Sequence, residues 1–112
     1  MSSKTYGAPL SFVDRLALLT SAESLYQAAK RRDFFTCVRA VIGEITGDDG
    51  EVRDVAYFQA EDGTWMRSSA SIPLAVARAL IASDDAPDSV TLTPGVAQSR
   101  AGREYTTLSV SD

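Results

Sequence analysis

The 112-residue sequence predicts a mainly β domain with helices, a five-stranded barrel preceded by an N-terminal helix. Three observations carry that prediction. Segments rich in Phe, Val, Ile and Thr are separated by two short turns, "GDDGE" (47–51) and "EDG" (61–63), as in a strand meander. An alanine- and leucine-rich run, "LAVARALIA", comes next. A closing strand pair, "VTLTP" and "REYTTLSV", follows it.

Taken in order, residues 1–10 are small, polar and punctuated by Gly and Pro, and read as a flexible arm. Ser11 caps a short turn through Phe12, Val13, Leu16 and Leu19. Thr20 to Glu23 then has the form of a capping box, each end satisfying a backbone N–H of the other. The helix it opens spans 21–32, with Ala22, Leu25, Tyr26 and Ala29 on one face. Its last turn, Lys30-Arg31-Arg32, suits the negative end of the helix dipole. Residues 1–33 thus form an arm and helical segment, and residues 34–112 the barrel.

The first strand, within 33–47, alternates Phe34, Thr36, Val38, Ala40 and Ile42 against Phe35, Cys37, Arg39 and Val41. On the second, Ala56, Phe58 and Ala60 oppose Val55, Tyr57 and Gln59. The third sets Trp65 and Arg67 against Met66. Ser71 caps the next helix, with Pro73 in its first turn. Three meander strands, a helix and a closing pair is the order of the OB barrel.

Composition narrows the function. The chain has no histidine, hence neither the commonest general base nor the commonest metal ligand. Its one cysteine, Cys37, reads as an inert strand residue. Neither a P-loop nor a G-x-S-x-G elbow occurs. The acidic clusters Asp48-Asp49-Glu51 and Asp84-Asp85-Asp88 lack EF-hand spacing and read as turn chemistry. The expectation is a non-enzyme with no cofactor and no metal. No apolar run approaches the ~20 residues of a membrane span, and the start has no signal-peptide core, so a cytoplasmic protein is expected.

The net charge of -4 is uneven: residues 1–33 carry +2 and residues 34–112 carry -6. That balance argues against gripping duplex DNA over a broad basic surface. A local basic groove remains compatible, because surface charges more than about 8–10 Å apart are screened at physiological salt.

The frame "FFTCVRAVIGEI…VRDVAYFQAEDGTWMRSSASIP…VTLTPGVAQSRAGREYTTLSV" resembles the small OB-fold single-stranded DNA-binding proteins encoded by bacteriophages. The shared pattern is an acidic-glycine turn between two strands, a Ser-rich lead into the helix, and a Gly-Arg-Glu-Tyr strand closing the barrel. It covers roughly residues 34–110. The helical segment of 11–32 is not part of a minimal barrel, and the ending "SVSD" differs from the acidic, partner-recruiting tail of the bacterial housekeeping versions. The resemblance implies a non-catalytic single-stranded DNA-binding protein of DNA replication or recombination, in the host cytoplasm. RNA stays open as the ligand.

Such binding needs aromatic faces for bases and cations for phosphates. The candidates are Arg39 on the first strand, Tyr57 and Gln59 on the second, and Trp65 and Arg67 on the third. Arg100 and Arg103 on the last hairpin, with Tyr105 beside them, would form one jaw of a groove. Each residue also has a plain structural reading. Tyr57 and Trp65 suit burial, Arg39 and Arg67 suit pairing with Asp54 or Glu61, Arg100 and Arg103 suit a solubilising tip, and Phe34 and Phe35 suit the core. The rival function is a small acidic module that binds or blocks another protein. Leu16, Leu18, Leu19 and Leu25 need a partner surface, either the barrel or a second copy, which would make a homodimer through residues 11–32.

Overall fold

The computed structural model describes residues 5–31, 34–83 and 85–111. Its elements begin with β1 (Thr5–Tyr6), α1 (Phe12–Ser21), β2 (Glu23–Ser24) and α2 (Leu25–Arg31). A meander follows of β3 (Phe35–Thr46), β4 (Val52–Ala60) and β5 (Trp65–Ser68). The chain then forms α3 (Ser71–Ala82), β6 (Val90–Gln98) and β7 (Glu104–Ser111). Arg32 of the basic cluster and Asp84 of the second acidic cluster lie outside the described residues.

The N-terminal segment is the first correction. The capping box lies at Ser11 and Asp14: the Asp14 N–H donates to the Ser11 hydroxyl, and the Ser11 N–H donates to the Asp14 carboxylate. Ser11 therefore opens a full ten-residue helix instead of a short turn. Thr20 caps nothing; its hydroxyl donates to the Leu16 carbonyl at 2.7 Å. The expected helix start at residue 21 moves to Leu25, because Ala22 is extended and Glu23 and Ser24 pair in parallel with Met66 and Arg67 of β5. The Glu23 carboxylate takes Arg31 at 2.8 Å. Ser71 is likewise not the cap of α3. Ala70 holds that position without a side-chain bond, its own N–H donating to the Ser68 hydroxyl, and Pro73 falls in the first turn as expected.

All strands lie in one curled, half-barrel sheet of order β2-β5-β4-β3-β6-β7, antiparallel except at β2–β5. The long β3 holds it together. One edge of β3 pairs with β4, and the other takes β6 at Phe35–Cys37 and β1 at Ala40–Val41. The expectation of five strands is corrected to seven among the described residues, β1 lying in the stretch read as a flexible arm. The five long ones pair as β5-β4-β3-β6-β7, so a closed barrel would need β5 to pair with β7. Instead β2 occupies the outer edge of β5, and α2 packs against β5, β6 and β7.

A bulge between Cys37 and Arg39 resets the alternation of β3. Cys37 and Ala40, expected on opposite faces, are both fully buried in the inner core. Phe34, expected in the core, is 70% exposed just ahead of β3. The inner core joins Cys37, Phe58, Met66 and Leu92 of the sheet to Leu25 of α2 and Leu74, Ala77 and Leu80 of α3. A smaller outer cluster consists of Val55, Tyr57 and Trp65 under Leu18 and Ala22.

β6 runs four residues beyond Pro94, where the sequence suggested an end. The register sets Pro94 opposite Leu108. Counting from the hydrogen-bonded pair Ser99–Arg103, that is a non-hydrogen-bonded pair, so β7 does not need the missing N–H. The β3–β6 ladder has already ended at Leu92. The three hairpins share one turn design, with bonds at 47/50/51, 60/63/64 and 99/102/103 and a left-handed glycine at each 50, 63 and 102. Two of these tips are acidic and the last is basic.

Among the described residues no helix is long and apolar enough to cross a membrane.

Candidate nucleic-acid interface

Five of the eight candidate residues meet on the outer face of β3, β4 and β5. The register places Arg39 beside Gln59 and Gln59 beside Trp65, one row across three strands. The next row is Val41, Tyr57 and Arg67. The bulge leaves this face intact, because it falls before Arg39 and the alternation beyond it is regular.

The face is covered. Trp65 is 3% exposed and Tyr57 is 4% exposed, because α1 lies across them and seats Leu18 and Ala22 on the outer cluster. The expectation of outward, accessible aromatics is corrected here: alternation gave the right face, and burial followed from the extra helix lying on it. Gln59 is buried too, its amide donating to the Gly63 carbonyl.

Arg39 holds the cover at its first turn. Its Nη1 donates to Asp14 Oδ2 at 2.9 Å and its Nη2 to Asp14 Oδ1 at 3.3 Å, a two-pronged contact. Its Nε donates to the Gln59 side-chain oxygen, and the guanidinium lies over the Trp65 ring, 5.6 Å from the centroid. The expected pairing with Asp54 or Glu61 is not what forms, for Asp54 takes Arg78 at 2.7 Å. The Arg39 hydrogen bonds, followed by the bond from the Ser11 N–H, hold the Asp14 carboxyl down at about 2. Arg67 holds the other end of α1, its Nη1 donating to the Ala22 carbonyl at 2.7 Å.

Open grooves run on both flanks of α1. One, of about 390 Å³, is walled by Pro9, Leu10, Arg15, Val41 and Tyr57. The other, of about 700 Å³, lies at the unclosed seam and is lined by Tyr26, Tyr57, Arg67 and Ser68 and by Thr106 of β7. A Cβ on Gly43 would come within 3.2 Å of the Tyr57 ring, so the glycine leaves room for it.

Arg100, Arg103 and Tyr105 stand apart from the two rows, exposed on the β6–β7 hairpin. Among the described residues no ion pair engages either arginine. The hairpin base is tied to α2, where the Tyr26 hydroxyl donates to Glu104 at 2.8 Å and Lys30 lies over the Tyr26 ring. On the opposite tip, Asp49 accepts from the Glu51 N–H and Arg53 sits 3.8 Å from Asp49 and 3.6 Å from Glu51, as turn chemistry predicts. Burial pushes the Cys37 thiol up to about 12, in keeping with an inert side chain.

Sequence reasoning missed Asp14, although its spacing from Ser11 was a readable capping signal. Comparison with protein-family models, with curated proteins and with solved structures returns no match.

Proposed function

We propose that the chain is a non-catalytic single-stranded DNA-binding protein that uses the outer face of β3, β4 and β5. The observation that carries this reading is the pair of cross-strand rows, Arg39-Gln59-Trp65 and Val41-Tyr57-Arg67. They set two guanidiniums and two aromatic rings on one side of a curled sheet, the combination needed for stacking bases and tracking phosphates. Four antiparallel pairings join the five long strands, and a β5–β7 pairing would complete a barrel, which supports an opened relative of the OB barrel. The basic β6–β7 tip, with Arg100 and Arg103 exposed, supplies the flanking jaw.

The test is a titration with oligo-dT of about 20–30 nucleotides, read by the fluorescence of the one tryptophan. Saturable quenching that weakens with salt, with a log–log slope near -0.7 per phosphate contact, is the expected result. A parallel oligo-rU series reads DNA against RNA. A folded protein that binds neither at low salt would overturn the proposal.

One observation favours a second reading, a protein-interaction module. The outward side of α1 exposes Phe12, Val13, Leu16 and Leu19, an apolar stripe next to a helix face that is already buried. A second copy seated on that stripe would make a dimer through α1. Sedimentation of the wild type against Leu19→Glu distinguishes a dimer from a monomer.

A further inference from the structure

We propose that Asp14 occupies a phosphate subsite on Arg39, and that α1 is an internal competitor which single-stranded nucleic acid displaces. The inference rests on the single-strand reading above and adds its regulation.

Both arginines of the face are engaged by the same helix. Arg39 takes the carboxylate near the start of α1, and Arg67 takes the Ala22 carbonyl just past its end. A guanidinium fork that accepts a carboxylate through two N–H groups accepts a phosphate through the same geometry. Asp14 sits where a phosphate held by the Arg39 fork would sit, beside the Trp65 ring that the guanidinium overlies. Phosphates that capture Arg39 and Arg67 therefore remove both end contacts of α1 together.

The rest of the helix is lightly held. Leu18 is its one buried residue, joined by Ala22 just beyond it and by the partly buried Leu10 and Ala17. Phe12 is 75% exposed and Leu19 is 64% exposed. Ten residues are too few for a helix to persist alone in water, so α1 depends on its seat. Grooves lined by Leu18, Leu19 and Tyr57 run beside the helix, while Trp65 and Gln59 stay buried beneath it. With the face available only when α1 is lifted, apparent affinity falls by the fraction of molecules in that state. Release of the cover raises affinity without any new contact to the ligand.

The experiment compares wild type, Asp14→Asn and Asp48→Asn for oligo-dT binding by anisotropy, and for acrylamide quenching of Trp65 without ligand. Asp14→Asn keeps an oxygen for the Ser11 N–H and weakens the hold on Arg39. Asp48→Asn removes an equal charge from the β3–β4 tip. The expected result is an affinity gain of about tenfold in Asp14→Asn, within the usual range of coupling between sites, with greater Trp65 quenching and neither change in Asp48→Asn. Leu18→Ala loosens the same helix without touching either arginine and should move both readouts in the same direction, which keeps the test open if Asp14→Asn misfolds. Binding by Asp14→Asn or Leu18→Ala no tighter than by Asp48→Asn would overturn the internal competitor and leave the single-strand reading in place. No binding by any folded variant would overturn that reading and this inference together.

Discussion

The inner and outer faces of the same sheet are built on different scales. Inside, Phe58, Leu92 and Cys37 are sealed by α2 and α3, and Leu25 of α2 is itself fully buried. Outside, Val55, Tyr57 and Trp65 are covered by one helix that presents Leu18 and Ala22 to them and leaves most of its large apolar side chains in water. Burial of the individual sheet residue is nearly equal on the two sides. What differs is the number of anchors on the covering element, and hence the free energy needed to lift it. A buried aromatic is fixed core when several elements cover it, and a concealed surface when one lightly anchored helix does.

That contrast is most easily broken by core truncation. Phe58→Ala should cost about 3–5 kcal/mol in urea unfolding, while Leu18→Ala should cost no more than about 2 kcal/mol, because α1 can open without the sheet. Equal losses would mean that the two faces are one cooperative core.

The tether ahead of α1 gives the next largest effect. Gly7 has φ of +87°, and a Cβ there would meet the Val38 carbonyl oxygen at 2.2 Å. Gly7→Ala should therefore cost about 2–3 kcal/mol by thermal unfolding and release β1 from β3. Gly102→Ala, at φ of +81° with open space around it, should cost about 1–2 kcal/mol from backbone strain alone.

Acid gives a subtler probe. The Asp14 carboxyl is held down at about 2, below its unfolded value, so the contact is fully present above the ordinary carboxylate range. It is lost as the pH falls from about 4 towards about 2. Acrylamide quenching of Trp65 should rise through that window, and Asp14→Asn should flatten the rise. The smallest effect is expected at the Arg78–Asp54 pair, whose side chains are about half exposed. Arg78→Ala should shift stability by no more than about 1 kcal/mol.

The five long strands and their turns were legible because their signals are local; β1 fell in the stretch read as a flexible arm, and β2 in the stretch read as helix. Along β4, Ala56, Phe58 and Ala60 alternate with Val55, Tyr57 and Gln59, and an acidic residue and glycine mark two of the hairpins. The face holding Arg39, Tyr57, Gln59, Trp65 and Arg67 was legible for the same reason, since a period of two assigns sides. Its cover was not legible. Nothing local in "SFVDRLALLTSA" says which side of α1 will pack, because Phe12, Leu16 and Leu19 are as apolar as Leu18. The β3 bulge was hidden for a related reason: Cys37 and Ala40 reveal their shared face only when β4 sets the register. The open seam depends on Glu23 and Ser24 taking the edge of β5, a contact more than forty residues away in sequence.

Native-state hydrogen exchange on the amides of α1, set against those of β3 and β4, tests the central claim most directly. The account predicts that Leu18 and Leu19 exchange through a local opening at least about 2 kcal/mol below global unfolding, while Ala40 and Phe58 exchange only with the whole molecule. Equal protection of α1 and the β3–β4 ladder would contradict it, and would make Trp65 part of a single fixed core.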